Sequence, residues 1–169
     1  VYKLALPGNL FVEMIVKGLL IDPIHNVPMV ILRDAENQRA LPIMLGPVEA
    51  NAIAVQLENS SPVRPMTHDL IHNLLDELGG ELVRVVISEL RDGTFFAYLE
   101  LRRAGERLLV DSRPSDALAL ALRSRAPIYV ESSVLDQATA ADTTGDRPDR
   151  DHLQKWLESL DPDDLGYKM

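Results

Sequence analysis

The chain has 169 residues, 46% apolar and 25% charged, with a net charge of −9, a balance typical of one soluble globular domain with or without a tail. It has no cysteine, which excludes disulfides and thiolate metal sites and favours a reducing cytoplasm. No apolar run reaches the roughly 20 residues that a membrane-spanning helix needs. The acidic balance excludes a broad basic face for nonspecific nucleic-acid binding, but not local phosphate binding by a few arginines.

Composition divides the chain into three parts. Residues 1–13 hold a short apolar stretch broken by Pro7-Gly8, too weak for a signal peptide, and we interpret them as an N-terminal extension. Residues 14–135 carry the periodic sequence of one domain. Residues 136–169 contain nine acidic and four basic side chains. They are predicted to be an acidic linker, which is polar and unstructured over Thr139–Asp151, followed by an amphipathic helix over Asp151–Leu160.

The first half of the domain predicts three strands and then a helix. The strands are rich in β-branched and apolar residues, are separated by turns containing Pro, Asn and Asp, and cover Met14–Asp22, Pro28–Asp34 and Arg39–Leu45. Gly46-Pro47 ends the third strand, and a proline suits the first helical position. The helix that follows is predicted to reach Glu58.

A second helix precedes a second set of three strands. Thr67 is predicted to be its N-cap, and apolar residues recur at helical spacing at Leu70, Ile71, Leu74, Leu75 and Leu78. The later strands are predicted at Glu81–Leu90, Thr94–Arg102 and Arg107–Asp111. Pro114 then opens a helix through Leu122 that is apolar on nearly every side and should be buried. A short strand at Ile128–Val130 closes the domain.

The two halves resemble each other. In each, three strands lead into a helix that starts with proline. Aligning Pro47 with Pro114 places Glu49 opposite Asp116 and matches alanines in both helices. The sequence therefore predicts a mixed α/β (α+β) fold, with a β-β-β-α duplication and helices packed on the sheet.

Asp111-Ser112-Arg113-Pro114-Ser115-Asp116 is the densest group of candidate site residues. It lies where a strand meets a helix start, a position that favours anions, and an arginine there suits a phosphate. Asp111 and Asp116 would alternatively hold Mg²⁺ or Mn²⁺ through carboxylate oxygens. The structural alternative is that Ser115 or Asp116 only caps the helix and that Arg113 only pairs with a nearby acid. Glu49, in the first turn of its own helix, has the same structural alternative.

A second candidate group surrounds the start of the helix at Thr67. His68 and His72 are one turn apart, a spacing that can bind a metal. Two histidines alone make a poor site, and Asp69 in the first turn needs no function to explain it. The sequence has no Gly-rich phosphate loop, zincin motif or serine elbow.

Four stretches, in order along the chain, resemble the bifunctional nuclease domain family. They are Leu41–Gly46 with Glu49-Ala50, Arg64–Leu70, Asp92–Ala97, and Asp111–Ala117 with Ala126–Val130. The resemblance runs from about Met14 to Leu135. It implies a mixed α/β fold, a homo-oligomer with a dimer favoured, and cleavage of both RNA and DNA. His72 lies outside the shared motifs, which weakens the two-histidine metal hypothesis.

Combined with the residues, the resemblance favours a metal-assisted phosphodiesterase with little sequence preference. Glu49, Asp111 and Asp116 would be bases or ligands of Mg²⁺ or Mn²⁺, and His68 would donate a proton to the leaving oxygen. The phosphate would be held by Arg64 and Arg113, with Asp69 and Ser115 as further substrate contacts. The rival hypothesis is a non-catalytic oligomeric module that binds a small anionic ligand or a protein partner.

Overall fold

The computed structural model describes residues 10–143, which form one mixed sheet of seven strands and four helices. The strands are β1 (Phe11–Ile21), β2 (Pro28–Asp34), β3 (Ala40–Met44), β4 (Gly80–Arg91), β5 (Thr94–Arg103), β6 (Glu106–Ser112) and β7 (Ile128–Glu131). The helices are α1 (Pro47–Leu57), α2 (Thr67–Glu77), α3 (Pro114–Ser124) and α4 (Ser132–Thr143). The predicted α+β fold is confirmed.

The sheet has the order β3-β2-β1-β7-β4-β5-β6. Each outer trio is an antiparallel meander, and β7 joins them by pairing antiparallel with β1 and parallel with β4. Strand β1 therefore runs opposite to β4, as a twofold axis perpendicular to the sheet would require of equivalent strands. With a helix after each meander, this topology matches the predicted duplication. Superposing residues 39–57 on 107–123 is the direct test.

The hydrophobic core lies between one face of the sheet and the helices. Helix α3 is its centre, because its residues from Ala117 to Ala121 are all buried, as its all-round apolar sequence predicts. It packs against α1 on one side and α2 on the other, above β4 and β5. Buried Val85 and Ile87 of the sheet belong to the same core. This packing brings the first turns of α1, α2 and α3 together.

Three local predictions differ from the structure. The N-cap of α2 is Met66, and Thr67 is the first helical residue. Strand β1 begins at Phe11, three residues earlier than predicted. Helix α4 continues to Thr143, through residues predicted to be an unstructured linker, because Val134 and Leu135 are buried in the core and anchor it. The predicted helix at Asp151–Leu160 and most of the N-terminal extension lie outside the described residues.

No helix within residues 10–143 is long and apolar enough to cross a membrane.

Candidate active site

The candidate active site is a network of four charged or titratable side chains at three helix starts. Glu49 is the third residue of α1, His68 the second of α2 and Asp116 the third of α3. Arg113 is the N-cap residue of α3. Unpaired backbone N–H groups at these helix starts give each a partial positive charge. A carboxylate in each first turn, including Asp69 in α2, compensates that charge.

Arg113 joins the two carboxylates that the predicted duplication makes equivalent. Its Nη1 donates to Oε1 of Glu49 at 3.0 Å. Its Nε donates to Oδ2 of Asp116 at 2.7 Å, and its Nη2 donates to Oδ1 of the same carboxylate at 3.2 Å. The Arg113 side chain is nevertheless 65% exposed, so the guanidinium can exchange these partners for an incoming anion.

His68 forms the inner side of the network. Its Nε2 lies 2.9 Å from Oδ1 of Asp116, and its side chain is 13% exposed. Burial would raise the pKa of Asp116, but hydrogen bonds from Arg113 and His68 outweigh it and the pKa is lowered. The Asp116 carboxylate therefore stays ionised at neutral pH and holds the imidazole in one orientation. Hydrogen bonding to Asp116 likewise raises the pKa of Arg113.

The structural alternative for Asp116 and Ser115 was helix capping. The N-cap residue of α3, Arg113, makes no side-chain cap hydrogen bond, and the Asp116 carboxylate binds Arg113 and His68. The structural alternative for Arg113 was pairing with a nearby acid. Arg113 does pair with two acids, Asp116 and Glu49. Ser115 is half-buried at the second position of α3, next to the network in sequence.

Asp69 contacts the protein interior. Its Oδ2 accepts a hydrogen bond from the Met66 amide at 2.8 Å, and its Oδ1 accepts one from Nε of Arg123 at 2.5 Å. Arg123, which the sequence analysis did not single out, is only 3% exposed. Its Nη1 also donates to the carbonyl oxygens of Ala52 and Ala119. One buried guanidinium therefore ties α1, α2 and α3 together beneath the site.

Besides Ser115 and Asp69, two further predicted site residues, Asp111 and Arg64, lie outside this network. Asp111 pairs with Tyr98 across β5 and β6, and Tyr98 alternates with the core residues Ala97 and Leu99. Since paired residues in a sheet share a face, Asp111 points to the face away from the helices. Arg64 is exposed. It lies in the loop just before α2 and is therefore close in sequence to His68.

A metal site of three protein ligands is not assembled in the part of the chain that the structure describes. Within residues 10–143, no three His, Asp or Glu side chains form a group that could hold a metal ion. Asp111 lies on the other sheet face from Glu49 and Asp116. His72 contacts Ser124 and Asp76, whereas His68 contacts Asp116. The residues that remain for a cation are Glu49 and Asp116, which fit only a site completed by substrate and water oxygens.

Comparison with known proteins places this chain in a family. The model of the bifunctional nuclease domain matches residues 30–143, which include every residue of the network. An uncharacterised protein of Mycobacterium tuberculosis is 40% identical over 162 residues, covering 90% of this chain and 97% of that protein. The chain belongs to the bifunctional nuclease domain family.

Plant relatives carry the family's name but align over less of their length. Bifunctional nuclease 2 of Oryza sativa subsp. japonica is 28% identical over 111 residues, 63% of this chain and 34% of the plant protein. Bifunctional nuclease 1 of Arabidopsis thaliana is 29% identical over 93 residues, 53% of this chain and 29% of the plant protein. The region shared with the bifunctional nucleases is therefore a domain within longer proteins.

Proposed function

We propose that the protein is a nuclease that hydrolyses phosphodiester bonds of RNA and DNA with little sequence preference. The observation that carries this proposal is the network of Arg113 and His68 around Asp116 at three converging helix starts. A phosphate suits such a place, because helix N-termini and a guanidinium both attract anions. Contacts to the phosphate backbone carry no base information, so one site would accept both nucleic acids.

In the proposed mechanism Arg113 leaves Glu49 and binds a phosphate oxygen of the substrate. Arg64, exposed before α2, would bind a second oxygen. Substrate binding would thus replace an internal ion pair with an external one, which fixes the phosphate at the helix starts. Ser115, the neighbour of Asp116, is a predicted further substrate contact. Asp69, the other predicted contact, would first have to release the Met66 amide or Arg123, which bind its two carboxylate oxygens.

In the proposed hydrolysis a water oxygen bonds to phosphorus as the bond to the leaving oxygen breaks, and the water releases a proton to the solvent. His68 is the proposed proton donor to the leaving oxygen. Among the described residues its Nε2 is hydrogen-bonded to Asp116, which leaves Nδ1 as the ring nitrogen for the substrate. A general base works best with a pKa near the operating pH, and the pKa of Asp116 is lowered from its ordinary value. The proposed role of Asp116 is therefore to orient His68, while proton transfer belongs to His68.

A divalent cation remains part of the proposal. Glu49 and Asp116 would hold Mg²⁺ or Mn²⁺ together with phosphate and water oxygens, as is usual for Mg²⁺ at phosphate sites. Such an ion stabilises developing negative charge on the phosphate. Asp111 is the third predicted ligand, and its place on the opposite sheet face means that it would have to act on a different ion or not at all. We further propose that the protein works in the cytoplasm as a homodimer.

Asp116→Asn tests the function. Wild type should cut labelled single-stranded RNA and DNA with Mg²⁺ or Mn²⁺ and lose activity with chelator. The variant keeps the size of the side chain but loses its charge, so cleavage should fall by roughly 10²-fold. Thermal unfolding measures any separate loss of stability.

The control is Glu36→Gln, an exposed acid in the turn after β2, purified in parallel and expected to cut like wild type. Equal cleavage by wild type and Asp116→Asn would point to a contaminating nuclease and remove the assignment. Absence of cleavage by all three, with tight binding of a small anion, would favour the non-catalytic module. Activity that survives chelator would remove the cation and leave the Arg113 and His68 roles standing.

A further inference from the structure

The central strands of the sheet are buried on both of their faces. Two continuous runs have every side chain at 0% exposure, namely Met29–Leu32 of β2 and Val85–Ile87 of β4. Alternate residues of a strand point to opposite faces. A sheet with one face in solvent alternates apolar and polar residues, whereas a continuous apolar run is typical of a strand that is covered on both sides.

The described helices cover only one of these faces. The core cluster beneath them contains Val30 and Leu32 of β2 but neither Met29 nor Ile31. Met29 and Ile31 therefore point to the opposite side of the sheet, which we call the helix-free face. Each of α1, α2, α3 and α4 contributes to the core cluster or packs against it, so none of these four helices accounts for the burial of Ile31.

The neighbouring strands do not account for it either. Ile31 pairs with Gly18 of β1 on one side and with Pro42 of β3 on the other. Glycine has no side chain, and proline has only a short ring, so neither neighbour can enclose an isoleucine. The complete burial of Ile31 points to a further layer on the helix-free face, as an apolar sheet face requires.

The sequence beyond the described residues contains a segment with the pattern of such a layer. In residues 151–160, large apolar residues recur at i, i+3, i+4 and i+7, namely Leu153, Trp156, Leu157 and Leu160. This is the apolar stripe of a helix that packs one side against a core. Such a helix would be about 15 Å long, and neighbouring strands are about 4.8 Å apart, so it would cross the central strands.

The connection to this segment is long enough to pass around the sheet. Helix α4 ends at Thr143, and the eight steps from there to Asp151 span up to about 26 Å when extended. Packed layers lie about 10 Å apart, so the helix layer and a layer on the opposite face are roughly 20 Å apart. Residues 1–9 are the weaker candidate, because Pro7-Gly8 interrupts their short apolar stretch.

We propose that residues 151–160 dock as an amphipathic helix on the helix-free face of the sheet of the same chain, with Trp156 and its apolar neighbours over Met29 and Ile31. The domain would then have three layers, with the sheet in the middle. The helix-free face would be closed to nucleic acid, which leaves the helix starts around Arg113 as the open side. The inference does not depend on the proposed nuclease activity.

The fluorescence of Trp156 is the first test, because it is the only tryptophan of the chain. Acrylamide should quench Trp156 severalfold less in the folded full-length protein than in the same protein in urea, since a docked indole is shielded from the quencher. Equal quenching in the two states would overturn the proposal.

The reactivity of Ile31→Cys with a maleimide is the second test, and it uses a chain without any other cysteine. This thiol should react slowly while Trp156 is present. Adding Trp156→Asp should speed the reaction at least about tenfold, because losing one large buried side chain shifts a docking equilibrium by that factor or more. Val85→Cys is the matched control. Val85 is equally buried but belongs to the core cluster, so its thiol should stay unreactive with Trp156→Asp.

Two further outcomes identify the wrong occupant. If Leu6→Asp exposes the thiol of Ile31→Cys and Trp156→Asp does not, residues 1–9 form the layer and the proposal fails. If the reaction becomes faster on dilution, the docked segment comes from a second copy, and docking within one chain is wrong. A rate that is independent of protein concentration, together with protection that Trp156→Asp alone removes, is the expected result.

Discussion

Helices α1 and α3 begin in nearly the same way and differ in the side chain at the N-cap. Gly46 has φ −74° and ψ 160°, and Arg113 has φ −70° and ψ 147°. Proline follows in both, and Glu49 or Asp116 comes third. The first unit therefore supplies an acid and no cation at its helix start, whereas the second supplies an acid and the guanidinium that binds both acids.

A second difference lies at the far ends of the same helices. The alignment that matches Pro47 with Pro114 places Gln56 opposite Arg123. Arg123 binds Asp69 of α2 and the carbonyl oxygen of Ala52 in α1. Arg113, at the N-cap of α3, and Arg123, in its last turn, thus both reach outside their own unit. The comparison teaches that a near-symmetric scaffold becomes an asymmetric site through two arginines in the second unit.

The largest expected effect comes from removing the buried arginine. Arg123→Leu leaves the Asp69 carboxylate, 19% exposed, without its cation, and breaking a buried pair from one side costs about 3–5 kcal/mol. Chemical denaturation should show this loss of unfolding free energy. Arg102→Leu, which removes an exposed partner of Glu81, is the control and should change stability little. A similar loss of unfolding free energy in both variants would mean that Arg123 does not stabilise the contact between the units.

The same variant should have a defined pH dependence. Burial would raise the pKa of Asp69, but hydrogen bonds from the Met66 amide and Arg123 outweigh it and the pKa is lowered. A carboxylate with a lowered pKa stabilises the fold above its unfolded pKa, about 3.9, and this contribution is lost as pH falls through the folded value. The stability gap between wild type and Arg123→Leu should be largest near neutral pH and shrink as pH falls toward the folded pKa of Asp69, because the variant, without Arg123, protonates this carboxylate at a higher pH than wild type does.

The next largest effect should come from the exposed arginine. Arg113→Gln removes the charge that joins Glu49 and Asp116 and that is proposed to bind phosphate, so cleavage should fall by roughly 10²-fold. Arg113→Lys keeps the charge but loses the planar fork, and it should recover only part of the rate. Because Arg113 is exposed, neither change should lower the melting temperature by more than a few degrees. Full activity of Arg113→Gln would leave the asymmetry without a functional meaning.

Periodicity and turn chemistry predicted most of the fold from the sequence. Apart from the start of β1 at Phe11, the strand bounds lie within one residue of the prediction, because Gly, Pro, Asn or Asp lies in most of the turns between strands. Helix α4 was missed because its anchor, Val134 and Leu135, is short and followed by small polar residues. Spacing also predicted that α2 has an apolar face, but periodicity carries no information about what that face packs against.

The candidate site was predicted in part. Motif membership selected Glu49, His68, Arg113 and Asp116, and the structure brings these four together. Asp111 was selected with them because it is close in sequence, yet strand alternation turns it to the other face. Arg123 was missed because an arginine in a last helical turn is commonly a solvent-exposed dipole partner, and only tertiary packing reveals its burial. The alignment of the two halves contained a signal for Arg123, because this arginine in the second half aligns with Gln56 in the first.

The smallest expected effect comes from giving the first unit a side chain at its N-cap. A Cβ added at Gly46 would lie 2.3 Å from Oε2 of Glu49, the flexible end of that side chain. Gly46→Ala should therefore displace the Glu49 carboxylate from Arg113 while leaving Asp116 bound. Since φ −74° at Gly46 suits alanine, the change should not destabilise the fold and would add a few tenths of a kcal/mol through the unfolded chain. Gly46→Ala leaves the Glu49 carboxylate present, so cleavage should change only a few-fold, whereas Glu49→Ala also removes a proposed ligand of the cation and should lower cleavage further. If Gly46→Ala acts only through Glu49, the double variant should cleave at the rate of Glu49→Ala, since residues in one network are not additive. Additive losses in this cycle would mean that Gly46 and Glu49 act separately, and that the two helix starts are not joined by Arg113 in the way their near-symmetry indicates.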